Sequence, residues 1–296
     1  MTNLFRKDEI LFLLVWSSGY IGAKIGVPVS GTFTLLFYRF MLVLIVVGLY
    51  LTLKSAWRWP SRPMLIIVFF AHFLWLVAIF KAFEFGITAG AASLIAALQP
   101  LLTALVSPYV LGEGNSPMKW AGIGLRFLGV AVFVWGDTGY AAVPLWVYLL
   151  PLLATVSLTF VTLYERRTSF AATPPMGIMS ALFWHSALTL VCLFPFAFWL
   201  EDFAAYWGAD FVFAVVWLAV VVSVLAYGLM FYLIRTRAAT RVSALQYFVP
   251  PTTMAIAFIV FGEALTWAGS VGLVITAFGF YVMARAEGAL RPARRV

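Results

Sequence analysis

The sequence predicts an all-α membrane protein whose ten transmembrane helices form two inverted five-helix repeats, with the N- and C-termini cytoplasmic. Three observations carry this: the composition, the spacing of apolar runs with their charges, and a segment that recurs 150 positions downstream. Of the 296 residues, 64% are hydrophobic and 10% charged, with a mean hydropathy of +1.03. That leaves too little polar surface to cover a water-soluble globule. A hydrocarbon core about 30 Å thick takes roughly 20 apolar residues per helix, so this length divides into ten spans and leaves no room for a sizeable soluble domain.

Apolar stretches bounded by charges, Gly or Pro fall at about 10–27, 32–53, 63–86, 89–111, 118–136, 143–165, 175–200, 210–234, 241–261 and 266–286. The net charge of +8 would suggest a nucleic-acid partner in a soluble protein. Here its distribution reports topology instead. Arg6 and Lys7 begin a set continued by Lys54, Arg58 and Arg62, Lys119, Arg166 and Arg167, Arg235, Arg237 and Arg241, and finally Arg285, Arg291, Arg294 and Arg295. Every second connection thus carries cations. The opposite connections hold Asp137, Glu201, Asp202, Asp210 and Glu263, which places both termini in the cytoplasm and makes the lipid bilayer, not nucleic acid, the expected partner. Met1 to Glu9 lead into the first run without a small-residue cleavage site, so an uncleaved first helix is expected. The single Cys192 lies in an apolar run and is read as a small core residue, with no disulfide, metal or cofactor expected.

Ser93 to Pro100 (SLIAALQP) and Ser243 to Pro250 (SALQYFVP) share one offset, which persists from Gly112–Glu113 to Gly262–Glu263, from Gly122 to Gly272 and from Gly129 to Gly279. A single offset across two spans and their loop indicates internal duplication. Phe37–Tyr38–Arg39 and Phe183–Trp184–His185 match more weakly at 146 positions. The halves are therefore placed at 1–139 and 140–296, within one integrated transmembrane unit. Five spans per half is an odd number, so the second half lies upside down relative to the first. Inverted repeats of this kind set a binding site near the bilayer midplane, between two near-equivalent gates.

The element of Pro100 followed by Leu111–Gly112–Glu113, repeated as Pro250 and Phe261–Gly262–Glu263, resembles the EamA-like permeases of the drug/metabolite transporter superfamily. Within it, the chain's length, aromatic content and His72 are similar to aromatic amino acid exporters of the YddG type. The resemblance implies export of aromatic or other neutral amino acids, or of amphipathic drugs, across the cytoplasmic (inner) membrane of a bacterium.

Pro100 and Pro250 lie near mid-span, where a proline removes a helical hydrogen bond and bends the helix, so both are candidate gates. Ionisable groups inside spans are costly and usually face a cavity or a partner. Arg39 and His185, at matched repeat positions, and His72 in the third span are thus the leading polar contacts to substrate. By helical spacing His72, Trp75, Ile79 and Phe83 share one face, as do Trp16, Tyr20 and Lys24 on the first helix. Gln99 and Gln246 adjoin the two prolines and could bind substrate or freed backbone groups, with Tyr247 and Tyr227 as further candidates. Lys81 and Glu84 are expected to form a local ion pair, Arg126 to snorkel toward the cytoplasmic headgroups, and Lys24 to sit at the outer headgroup level.

These features point to a secondary transporter or facilitator working by alternating access. A membrane-embedded enzyme acting on lipid or peptide would need a nucleophile with its base or metal ligands at helical spacing, and neither HExxH nor GxSxG occurs. The two histidines are read as too few and too far apart for a metal site, and a passive scaffold would not account for duplicated kinks.

Overall fold

With no water in hydrocarbon to satisfy the backbone, each apolar run must close its hydrogen bonds internally and becomes a helix. The computed structural model describes residues 6–54, 57–60, 63–112, 116–167, 176–237 and 245–286. Glu113, Ser243 and the cations Arg62, Arg241, Arg291, Arg294 and Arg295 lie outside the described residues. The helices are α1 (Lys7–Gly26), α2 (Thr32–Lys54), α3 (Pro63–Val68, Phe69–Leu74 and Trp75–Glu84 in succession), α4 (Ala89–Ala96 and Gln99–Val110), α5 (Pro117–Ala141), α6 (Leu149–Arg167, entered through a 3-10 turn at Leu145–Tyr148), α7 (Ile178–Glu201), α8 (Ala209–Val216, Trp217–Ala226 and Tyr227–Thr236 in succession), α9 (Val249–Phe261) and α10 (Trp267–Ala286). The first eight are long and apolar enough to cross a membrane; the apolar parts of the last two, Val249–Phe261 and Trp267–Met283, are shorter.

Helix pairing follows the duplication. The contacts α5 with α10, α2 with α7 and α4 with α9 each join equivalent helices of the two halves, while α1 on α8 is matched by α6 on α3, and α1 on α9 by α6 on α4. Exchanging each helix with the one five places later maps this set of contacts onto itself, the signature of a pseudo-twofold axis between repeats.

Helices in lipid gain little from hydrophobic burial against one another, so close packing decides their association. The α5–α10 seam rests on glycines at seven-residue spacing. A methyl group on Gly129 would stand 2.5 Å from the backbone nitrogen of Thr276, and one on Gly272 would stand 2.5 Å from the carbonyl oxygen of Gly129. On α4, Ala89 to Ile95 are buried, and a methyl on Gly90 would meet Met254 of α9 at 3.0 Å.

Two local features differ from the sequence expectation. Pro100 and Pro250 do not bend continuous helices. Each occupies the first turn of a new helix, after a break at Ala97–Leu98 and a turn at Tyr247–Phe248. The missing amide is harmless there, because first-turn amides have no helical partner. Second, the third helix of each half carries π-helical turns, at Phe69–Leu74 and Trp217–Ala226, and an extra residue per turn rotates the preceding side chains.

Candidate functional site

Two contiguous cavities lie where the halves meet, with about 450 and 760 Å³ of empty space including their mouths. They share Trp16 and Tyr20 from α1 and Trp75 from α3. The smaller is otherwise walled by Arg39, Ile79, Phe80, Phe83, Val222 and Tyr227. The larger lies against the two helix breaks and is walled by Ser93, Ala97, Gln99, Pro100, Leu158, Gln246 and Tyr247. The four-residue spacing of Trp16 and Tyr20 does turn both rings to one cavity. Of the residues read above as substrate contacts or gates, His72, His185 and Pro250 are not in these walls.

Arg39 is 4% exposed. Its Nε and Nη2 donate to Ser223 Oγ at 3.1 and 3.0 Å, and Ser223 Oγ donates to the Leu218 carbonyl at 2.9 Å, a link the π-helical turn brings into line. The guanidinium carbon lies 5.2 Å from the Phe40 ring centroid and 6.0 Å from that of Phe80. Among the described residues no carboxylate forms an ion pair with it. The Trp75 indole nitrogen is buried and without a hydrogen-bond acceptor, so the chamber presents a cation and a free donor within an aromatic wall.

His72 departs from the expected shared face. The π-helical turn from Phe69 to Leu74 displaces it from Trp75, Ile79 and Phe83, and its ring meets His185 at 4.5 Å between centroids and stacks near Tyr227 at 6.1 Å. The histidines, distant in sequence, are therefore adjacent in space, behind the wall that Tyr227 forms. Tyr227 also packs on Trp16 at 5.3 Å.

Gln99 Nε2 donates to Thr162 Oγ1 at 3.0 Å and Thr103 Oγ1 at 3.3 Å, so this amide is oriented by α6. Carbonyls freed at the break are satisfied by side chains: Thr155 Oγ1 donates to Ile95 O at 3.1 Å and Arg126 Nη2 to Ala97 O at 3.2 Å. Arg126 thus does not snorkel; at 2% exposure it is held inside by the α5–α10 seam.

One end of the molecule is closed by charge. Lys24 pairs with Glu263 and donates to the Ile87 carbonyl at 3.3 Å, so it is a tie between repeats rather than a headgroup contact. The Glu263 carboxylate also accepts from Ala89 N at 3.0 Å, where a helix N-terminus favours negative charge. Beside it Asp137 accepts from Thr88 Oγ1 at 2.8 Å and Tyr148 OH at 2.7 Å. The Lys81–Glu84 pair forms at 2.7 Å, and Lys81 reaches on to Glu201 at 3.6 Å, whose carboxylate accepts from Thr34 N at 2.6 Å. At the other end Arg237 pairs with Asp8 at 2.5 Å. Replacing Glu263 by Gln removes the charge that holds α1 to α4. In a Cys192→Ser, Ser93→Cys background this is expected to speed labelling by a membrane-impermeant maleimide from the Lys24 side several-fold; unchanged labelling would show that the pair is not a gate.

Sequence reasoning missed Ser223, although it is the lone hydroxyl in the apolar run Phe211–Ala226 and an intramembrane arginine needs a partner. It also missed Arg126 as an interior residue, since nothing local to it reveals the α10 glycines.

Paired, duplicated helices around a mid-molecule cavity, tied by charge at both ends, define a multi-pass membrane transporter. The model of the EamA-like transporter family matches residues 10–135 and again 145–285, and the chain belongs to that family. It is a transporter of small molecules and not an enzyme. It is 26% identical to a probable amino-acid metabolite efflux pump of Escherichia coli (strain K12), with 94% of each chain covered. A Salmonella typhimurium protein of the same description is 27% identical, covering 94% of this chain and 97% of the relative. An uncharacterized inner membrane transporter, YedA of Escherichia coli (strain K12), is 24% identical over 86% of this chain and 81% of its own. A solved crystal structure shares the fold at a TM-score of 0.66 and 18% identity, over 96% of this chain and 98% of the other.

Proposed function

We propose that this protein exports small carboxylate-bearing metabolites, aromatic or other neutral amino acids first among them, from the cytoplasm across a bacterial inner membrane. The carrying observation is Arg39: a buried guanidinium, oriented by Ser223 and unpaired with any described carboxylate, in a chamber of aromatic rings. A carboxylate on an apolar body complements both features. The efflux pumps among the relatives support the direction and the substrate class. Residues 1–139 and 140–296 rock against each other in alternating access, with the breaks before Pro100 and Pro250 as gates and both termini cytoplasmic. Among the described residues neither chamber is lined by Asp or Glu, which supports a facilitator running down the substrate gradient.

The aromatic walls also favour a second reading, export of amphipathic drugs. The two separate in one competition assay. Efflux of labelled tryptophan from proteoliposomes is expected to be inhibited by phenylalanine and unaffected by a lipophilic cation. Inhibition by the cation alone would transfer the assignment to drugs.

A further inference from the structure

The second buried arginine is not explained by packing. Arg126 donates to the Ala97 carbonyl and hydrogen-bonds the Tyr247 side chain, work that a neutral amide could do. Instead α5 carries a full charge into the interior, where an uncompensated ion is costly. Its Nε and Nη1 are buried without a hydrogen-bond partner, and among the described residues no carboxylate pairs with it. The fold accommodates the side chain specifically, since a methyl on Gly279 of α10 would stand 2.7 Å from Arg126 Cγ. Between the guanidinium and the larger chamber stands Tyr247, whose ring centroid lies 4.7 Å from the guanidinium carbon and which itself lines that chamber with Ala97.

We propose that Arg126 is a second anion-binding residue of the transport path, covered by Tyr247 in this conformation and reached by the substrate's carboxylate when that ring turns aside. The proposal rests on the carboxylate-export reading and deepens it. Arg39 serves the smaller chamber and Arg126 the larger, so a carboxylate passing between repeats exchanges one guanidinium for the other without crossing the interior unpaired. The family of possible cargoes narrows to molecules with a carboxylate or comparable compact anion; neutral and purely cationic molecules gain nothing from this residue.

The test compares efflux of tryptophan and of tryptophan methyl ester, which keeps the ring and ammonium but lacks the anion. Without the Arg39 contact the ester moves more slowly through the wild-type protein, and each variant is read against the wild-type rate for the same probe. Arg126→Gln retains a donor for Ala97. It is expected to lower tryptophan efflux at least about tenfold, the loss of a charged hydrogen bond, and to leave ester efflux within about twofold of wild type. An equal fall for both probes, or no fall for either, would make Arg126 a cap of the helix break only and overturn the proposal. Tyr247→Ala carries the test independently if Arg126→Gln folds poorly. Uncovering the guanidinium is expected to lower the KM for tryptophan several-fold relative to that for the ester, whereas a parallel change in both would overturn it. Wild-type protein that moves neither probe would overturn the export reading and this proposal with it; wild-type transport with parallel losses would overturn only the proposal.

Discussion

Arg39→Ala is expected to reduce amino acid efflux by at least about tenfold while leaving the protein folded. A charge-assisted hydrogen bond contributes about 1.5–3 kcal/mol, and each 1.4 kcal/mol is a factor of about ten. Folding survives because Ser223, the hydrogen-bond partner of Arg39 among the described residues, keeps its own bond to the Leu218 carbonyl when the guanidinium is gone. Truncation therefore leaves no buried donor stranded and removes a cation that lipid penalises. Arg39→Lys keeps a point charge but loses the planar fork, and an intermediate rate is expected. His72→Ala acts through the His185, Tyr227 and Phe40 rings it meets rather than through the chamber wall, so a smaller loss is expected. Efflux rates from proteoliposomes, with size-exclusion profiles as the folding control, check all three. Normal transport by purified Arg39→Ala would remove the residue from the site.

Gly129→Val is expected to be the most damaging single change to the fold. Its side chain would begin 2.4 Å from Thr276 Oγ1, 2.5 Å from Thr276 N and 2.7 Å from the Gly272 carbonyl. Backbone cannot move aside as a side chain does, so α5 and α10 would have to separate. Overpacking costs about 1–3 kcal/mol even where side chains can shift, and the cost here lies at or above that range. Gly124, five residues before Gly129 and so on another face of α5, has nothing within 4 Å of an added methyl. Gly124→Ala is expected to be neutral or stabilising by up to about 1 kcal/mol through helix propensity. A thermal melt in detergent separates the pair: a midpoint lowered by about 5 °C or more for Gly129→Val, and none for Gly124→Ala. Similar midpoints would mean that the seam is not the close contact described.

The helices and the duplication were legible because hydrocarbon thickness and backbone satisfaction act on local sequence, and because offsets survive as repeated Pro, Gly and Glu. The aromatic faces of α1 and α3 were legible in part. Trp16 with Tyr20, and Trp75 with Phe83, obey simple helical spacing and reach the cavity; His72 does not, because π-helical turns leave no periodic mark in an apolar run. Partners far apart in sequence were illegible. Lys24 reads as a headgroup lysine until α9 brings Glu263 to it, and Arg126 reads as a snorkelling arginine until the α10 glycines draw it inward. The prolines were legible as interruptions, but whether a helix bends or breaks depends on what satisfies its freed carbonyls. Before Pro100, Thr155 and Arg126, from two other helices, satisfy them and allow a break.

The most direct measurement of the central claim is efflux from proteoliposomes loaded with a mixture of amino acids, with and without an imposed pH gradient. Selective loss of Trp, Phe and Tyr, at rates the gradient does not change, is the predicted result. Retention of every amino acid by demonstrably folded protein would contradict the substrate class, and efflux only under the gradient would contradict the facilitative mechanism.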